Sequence, residues 1–191
     1  MNRRAVPNSP KRCAVAGIGN VLLGDDGFGP LTVELFRCTY ECGPDVEVMD
    51  LGTPGLDLAP YLYGRDLVVL VDAVHAEVPR GTLCIFSEDD LRTRHGLLRL
   101  SAHDPGVRES LAHLSMLGRA PSELIILGAV PEQCEFAASI SVGAMTSASA
   151  AVDTIARLLG ERGIECHPRE THLRPNLWWL PSEFPPKMLP M

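Results

Sequence analysis

The order of apolar runs predicts an α/β fold, a three-layer α/β/α sandwich with a mainly parallel twisted sheet and helices on both faces. Three observations predict it. Short β-branched and aliphatic runs alternate with longer segments whose apolar residues recur near helical spacing. One run, Leu67 through Val71, has no polar interruption, as in a central strand covered on both faces. The most unusual chemistry stands directly after these runs, and the carboxyl ends of parallel strands are where ligands gather.

Residues 13–17 form a short apolar strand ending in glycine. Residues 27–42 place Phe28, Leu31, Val33, Leu35 and Phe36 on a helix that Gly43-Pro44 stops. Residues 46–49 read as a second strand closed by Asp50-Leu51-Gly52-Thr53-Pro54-Gly55, with a short helix over 56–63. Residues 67–71 are the third strand. Residues 81–86 are a further strand, and the loop before it is too short for a crossover helix, which predicts antiparallel pairing at an edge. The polar residues 87–101 predict irregular structure. Val107, Leu111, Leu114 and Leu117 give a helix over 105–117, and 124–127 a buried strand. The alanine-rich 141–162, striped by Val152, Ile155, Leu158 and Leu159, gives a long helix, with Gly163 where a helix end favours a left-handed residue.

A chain of 191 residues, 46% hydrophobic and 21% charged, can bury a core without disulfide staples. The expected domain covers residues 12–166, after a basic extension (1–11) and before a tail (167–191) that holds both tryptophans. A formal net charge of −7 argues against a nucleic-acid partner, because phosphate binding needs a basic stripe. No stretch approaches the ~20 apolar residues of a membrane span. The basic start leads into a glycine-interrupted strand without a small-residue cleavage site. The expectation is a cytoplasmic protein with no membrane insertion. None of the cysteines forms a C-x-x-C pair, and Cys13 and Cys84 are expected as buried thiols. Cys38 and Cys42, four apart on the predicted helix, could share a face, but no other cysteine pair completes a metal site.

The loop after the first strand, Gly17-Ile-Gly19-Asn20-Val-Leu22-Leu-Gly24-Asp25-Asp26-Gly27-Phe-Gly29, imitates a dinucleotide fingerprint but has Leu22 where the third glycine belongs. Its two carboxylates would repel a pyrophosphate and attract a cation. One of Asp25 and Asp26 is expected to cap the helix, which leaves the other to spare. Asp72 follows the third strand, whose neighbour should be the first, and His75 three residues on is a further candidate. His103 precedes a helix. Asp26, Asp72 and His103 could converge at one sheet edge, where two carboxylates and an imidazole make a mixed ligand set with open positions.

These segments closely resemble the nickel–iron hydrogenase maturation endopeptidases. The first loop, Gly17 to Gly29, is similar to that family's opening, and Asp50-Leu-Gly-Thr-Pro-Gly55 to its Asp-x-Gly-Thr-x-Gly. Val71-Asp72-Ala-Val resembles its strand-end aspartate, Ser101-Ala-His103 its Ser-x-His, and Leu127-Gly-Ala-Val-Pro-Glu132 its Gly-x-x-Pro-Glu. The blocks keep family order across about residues 13–163. The resemblance implies that Asp26, Asp72 and His103 form the catalytic site and bind nickel. It also implies the partner, a hydrogenase large-subunit precursor that brings the nickel and loses a C-terminal extension. The nickel would serve recognition alone, or would polarise the scissile carbonyl or a water.

Residues 1–11 and the tail depart from the family pattern without touching its motifs. No Gly-x-Ser-x-Gly elbow offers a rival nucleophile. Two other readings are a nucleotide-binding domain and a non-catalytic nickel-sensing chaperone or docking protein for the same precursor. Gly52, Thr53 and Gly55 are expected to line the cleft and touch the substrate, against the plainer reading of a tight turn. Leu177, Trp178, Trp179 and Leu180 are expected to pack on the protein's own body or on a partner.

Overall fold

The computed structural model describes residues 12–93, 99–100, 103–171 and 173–180. The N-terminal extension, Ser101, Ala102 and the end of the tail lie outside the described residues. In chain order the elements are β1 (Cys13–Gly17), α1 (Phe28–Thr39), β2 (Tyr40–Cys42), β3 (Val46–Asp50), α2 (Ala59–Leu62), β4 (Leu67–His75), β5 (Leu83–Ser87), α3 (Glu88–Thr93), β6 (Arg99–Leu100), α4 (Asp104–Met116), β7 (Glu123–Ala129), α5 (Val142–Gly160) and β8 (Cys166–Pro168). Short 3-10 turns, Gly24–Gly27 and Gly55–Leu58, precede α1 and α2.

The sheet runs β3-β1-β4-β7-β5, parallel except for β5, which lies antiparallel beside β7 at the edge as its short connection demanded. Successive residues of each strand point to opposite faces. Cys13, Val15, Val69, Val71, Ile125 and Leu127 join one apolar cluster with α1 and α5. Ala14, Ala16, Val68, Leu70, Leu124 and Ile126 join another with Leu58, Leu62, Leu91, Leu111 and Leu114 from the opposite helices. A helix layer therefore covers each face, the three-layer arrangement expected.

Several boundaries differ from expectation for local reasons. Residues 88–93 of the segment expected to be irregular form α3. The Ser87 hydroxyl accepts from the Asp90 N–H (3.2 Å), and the Asp90 carboxylate accepts from the Ser87 N–H (2.8 Å). That reciprocal capping box starts a helix with little apolar periodicity. The third strand extends past Val71 to His75 because β7 stays paired with it to Ala73 and β6 then pairs antiparallel with Val74 and His75.

The first helix stops at Thr39, short of Cys42. Residues 40–42 turn into β2, which pairs antiparallel with β8, and Cys42 forms a disulfide with Cys166 in that ladder. The shared helical face imagined for Cys38 and Cys42 does not exist. Cys13 is a fully buried thiol, whereas Cys84 is only partly covered. The expected boundary between domain and tail, at residue 167, falls inside β8. Beyond it, Leu177 and Leu180 pack against the α1–α5 cluster, while Trp178 is 70% exposed and meets Trp179 edge-on.

Candidate metal centre

The 3-10 turn between β1 and α1 carries Asp25 and Asp26, both buried. The start of α1 presses on the ends of the central strands. A Cβ at Gly29 would lie 2.2 Å from the Ile18 carbonyl oxygen and 2.4 Å from that of Val71. Only glycine allows this approach, and it brings the aspartate turn to the strand that carries Asp72. The Asp26 carboxylate is aimed by the Asn20 N–H, which donates to Oδ2 at 2.8 Å.

Asp72 is not at a strand tip, since β4 continues to His75. Its neighbour β1, however, pairs only as far as Val71. Asp72 therefore stands one residue beyond the end of β1, fully buried, at the place where the loops after the parallel strands meet. His103 occupies the N-cap position of α4 without capping it through its side chain. A Cβ at Gly106, one turn on, would lie 2.3 Å from the Gly55 carbonyl oxygen, so this glycine lets α4 seat itself against the 52–58 segment.

These placements bring ligand atoms of Asp26, Asp72 and His103 within 4.8 Å of one another, all three side chains buried. The His103 Nε2 lies 3.7 Å from Asp26 Oδ2, too far for a hydrogen bond, and has no hydrogen-bond partner although it is buried. A buried imidazole nitrogen without a partner is costly unless something fills the position it faces. Two ligands held about 2.1 Å from one ion stand at most ~4.2 Å apart. The 3.7 Å between His103 Nε2 and Asp26 Oδ2 already lies within that span. Two carboxylates and an imidazole suit a borderline divalent ion such as nickel and leave positions open.

The neighbouring Asp25 does not cap α1, contrary to expectation. Its carboxylate accepts from the backbone N–H groups of Ser141 (2.6 Å), Glu132 (2.7 Å) and Gln133 (3.3 Å) and from the Ser141 hydroxyl (2.8 Å). Ser141 in turn caps α5 by accepting from the Ala144 N–H. A carboxylate bound to residues more than a hundred positions away leaves no trace in local sequence. Cys134, on the same 131–141 loop, was also not anticipated. The residue is exposed, yet partial desolvation of the sulfur first, then the charges of Asp26, Asp25 and Asp72, push its thiol up to about 11. It stays protonated at neutral pH, which removes it as a thiolate nucleophile.

His75 ends β4 exposed, paired with β6, and does not join the trio. The segment holding Gly52, Thr53 and Gly55 adjoins it. The Gly52 carbonyl accepts from the Gly19 N–H (2.8 Å), Gly55 meets α4, and Thr53 is exposed. Gly52 and Gly55 both have positive φ, 54° and 57°, as the plainer reading as a turn requires.

Comparison with known proteins identifies the family and the fold. The family described as hydrogenase maturation protease matches residues 30–159, a span that contains Asp72 and His103. The chain is 33% identical over 157 residues to the hydrogenase expression/formation protein HupM of Azotobacter chroococcum mcd 1, covering 82% of this chain and 75% of that protein. It is 29% identical to the hydrogenase 2 maturation protease of Escherichia coli strain K12, covering 83% of this chain and 97% of the relative. The solved structure of the hydrogenase maturating endopeptidase HybD from E. coli superposes with a TM-score of 0.77 at 28% identity, covering 83% of this chain and 98% of that one.

Proposed function

This chain belongs to the hydrogenase maturation protease family and is a peptidase, and from that premise we infer that it removes the C-terminal extension of a nickel-loaded [NiFe] hydrogenase large-subunit precursor. In this reading the nickel arrives with the substrate and is recognised by Asp26, Asp72 and His103. The observation that carries it is the convergence of three buried ligand atoms, contributed by a loop, a central strand and a helix start, within 4.8 Å.

The two carboxylates supply negative charge that favours a cation over an anionic ligand. His103 supplies an imidazole nitrogen 3.7 Å from the Asp26 carboxylate. Asn20 and Gly29 keep Asp26 in place, and Gly106 keeps His103 in place. Nickel held at such a set would serve recognition alone or would polarise a nearby carbonyl or water as a Lewis acid. The partly exposed Gly52–Gly55 segment offers backbone to an extended substrate chain beside the trio. Among the described residues no helix is long and apolar enough to cross a membrane.

The test is incubation with nickel-loaded and nickel-free precursor, followed by mass measurement of the large subunit. Loss of the extension from the loaded form alone is expected. A large-subunit mass that never falls refutes the reading. Equal cleavage of both forms refutes the role given to nickel.

A further inference from the structure

Asp25 is 1% exposed, and its carboxylate satisfies three backbone N–H groups and one hydroxyl of the 131–141 loop and the α5 cap. The Asp25 N–H also donates to the Gln133 carbonyl (3.0 Å), so the turn and the loop bind each other in both directions. Such a carboxylate does more than a turn requires. It concentrates donors that a free loop would leave to water and fixes the path of a segment with no regular structure.

The loop it fixes carries strain and apolar surface. Among the described residues Ala137 is the only non-glycine with positive φ, 59°, and its N–H is tied to the Leu22 carbonyl (2.9 Å). Strain of this kind persists only where the surroundings enforce it. Beside it Phe136 is 77% exposed, and Leu22 and Val142, on the segments joined through Asp25, are 47% and 66% exposed. An aromatic ring held in water on a pinned loop is ready to bind without further ordering cost. The loop also flanks the trio, since the Glu132 and Gln133 N–H groups donate to Asp25, the residue next to Asp26.

We propose that Asp25 is a positioning residue, locking the 131–141 loop so that Phe136 and Leu22 form an apolar lip that grips the precursor polypeptide beside the trio. The proposal rests on the reading of the trio as the processing site, and it commits to the precursor as occupant because the lip is continuous with that site. Asp25 acts through the loop and does not touch the metal. Its loss therefore weakens substrate binding before it weakens the metal centre.

The experiment measures three quantities on the full chain: the dissociation constant for the hydrogenase large-subunit precursor, the affinity of the chain alone for Ni²⁺, and the melting temperature. The variants are Phe136→Ala, Asp25→Asn, which keeps the volume but turns an N–H₂ toward the loop donors, and the double variant. Phe136→Ala should weaken precursor binding about tenfold with Ni²⁺ affinity within threefold of the starting protein. Asp25→Asn should weaken it at least as much, and the double variant no further than Asp25→Asn alone, because an unpinned loop no longer presents the ring. The proposal is overturned if Phe136→Ala binds precursor within twofold of the starting protein. It is overturned equally if the two effects multiply in full, or if Asp25→Asn loses Ni²⁺ affinity while precursor binding holds. Should Asp25→Asn fail to fold, Leu22→Ser joins Phe136→Ala as the surface test, and unchanged precursor binding in both refutes the lip. Binding is read directly, so a failure of cleavage by the starting protein counts against the processing reading and leaves the lip separately decided.

Discussion

Replacing Gly106 with alanine tests whether a backbone contact sets the position of His103. The added Cβ would sit 2.3 Å from the Gly55 carbonyl oxygen and 2.8 Å from its carbon, both backbone atoms that cannot swing aside. Ordinary contact begins at 3.4 Å, so α4 and the 52–58 segment must separate by about 1.1 Å. Overpacking of this kind costs roughly 1–3 kcal/mol. The better helix propensity of alanine returns up to about 1 kcal/mol. A net loss of about 1–2 kcal/mol corresponds to a Tm lower by roughly 2–8 °C in a chain of this size. The larger effect falls on the metal centre. His103 sits three residues before Gly106, and a shift near 1 Å is large against metal–ligand distances of about 2.1 Å. Ni²⁺ affinity, measured by calorimetric titration of the chain alone, should fall by roughly 10–100-fold, the range for loss of a ligand's support. Gly160→Ala is the control, since nothing lies within 4 Å of its Cβ, and it should leave metal affinity unchanged. If Gly106→Ala melts lower yet binds Ni²⁺ within twofold, the contact with Gly55 supports the fold and does not aim His103.

Other substitutions give distinct outcomes. His103→Ala removes a buried nitrogen that has no partner, so thermal unfolding should move little while Ni²⁺ affinity falls roughly 100-fold or more; a large drop in Tm with metal binding intact would count against the ligand role. At Gly52 the φ of 54° sets a cost of roughly 1–2 kcal/mol for any side chain, but a Cβ there meets nothing within 4 Å. Gly52→Ala should therefore lower Tm modestly and impair processing more, and equal losses would leave the segment a simple turn. The Cys42–Cys166 bond closes a loop across 124 residues, which on chain entropy is worth at most about 5 kcal/mol; the paired serine variant should melt roughly 10 °C lower, and a Tm indifferent to reductant would show that the bond contributes nothing. Truncation after Arg169 removes the half-buried Leu177 and Leu180, worth about 1 kcal/mol each, and should lower Tm by several degrees without changing Ni²⁺ affinity.

Much of the fold was legible because the physics was local. An unbroken aliphatic run at 67–71 can only be a covered strand, and the brevity of the connection to residues 81–86 dictated an antiparallel edge. The meeting of Asp26, Asp72 and His103 followed from the tendency of loops after parallel strands to share one end of the sheet. Other features depended on distant partners. The Ser87–Asp90 capping box was visible in sequence but hidden by a segment whose polarity masked the signal. The partners of Asp25, the bond between Cys42 and Cys166, and the contact of Gly106 with Gly55 each join residues far apart in the chain. A list of residue types carries no sign of which backbone will arrive beside a glycine.

The trio is divided among the turn before α1, the middle strand of the sheet and the start of α4. No fragment of the chain holds two of its members in place without the packed sheet between them. The centre thus works as a coincidence detector for the protein's own folding. The three side chains come into register only when β1, β4 and α4 are all seated, so on the proposed reading a partly folded chain would neither sequester nickel nor act on a neighbour. On that reading activity would be withheld until the enzyme has passed its own structural inspection.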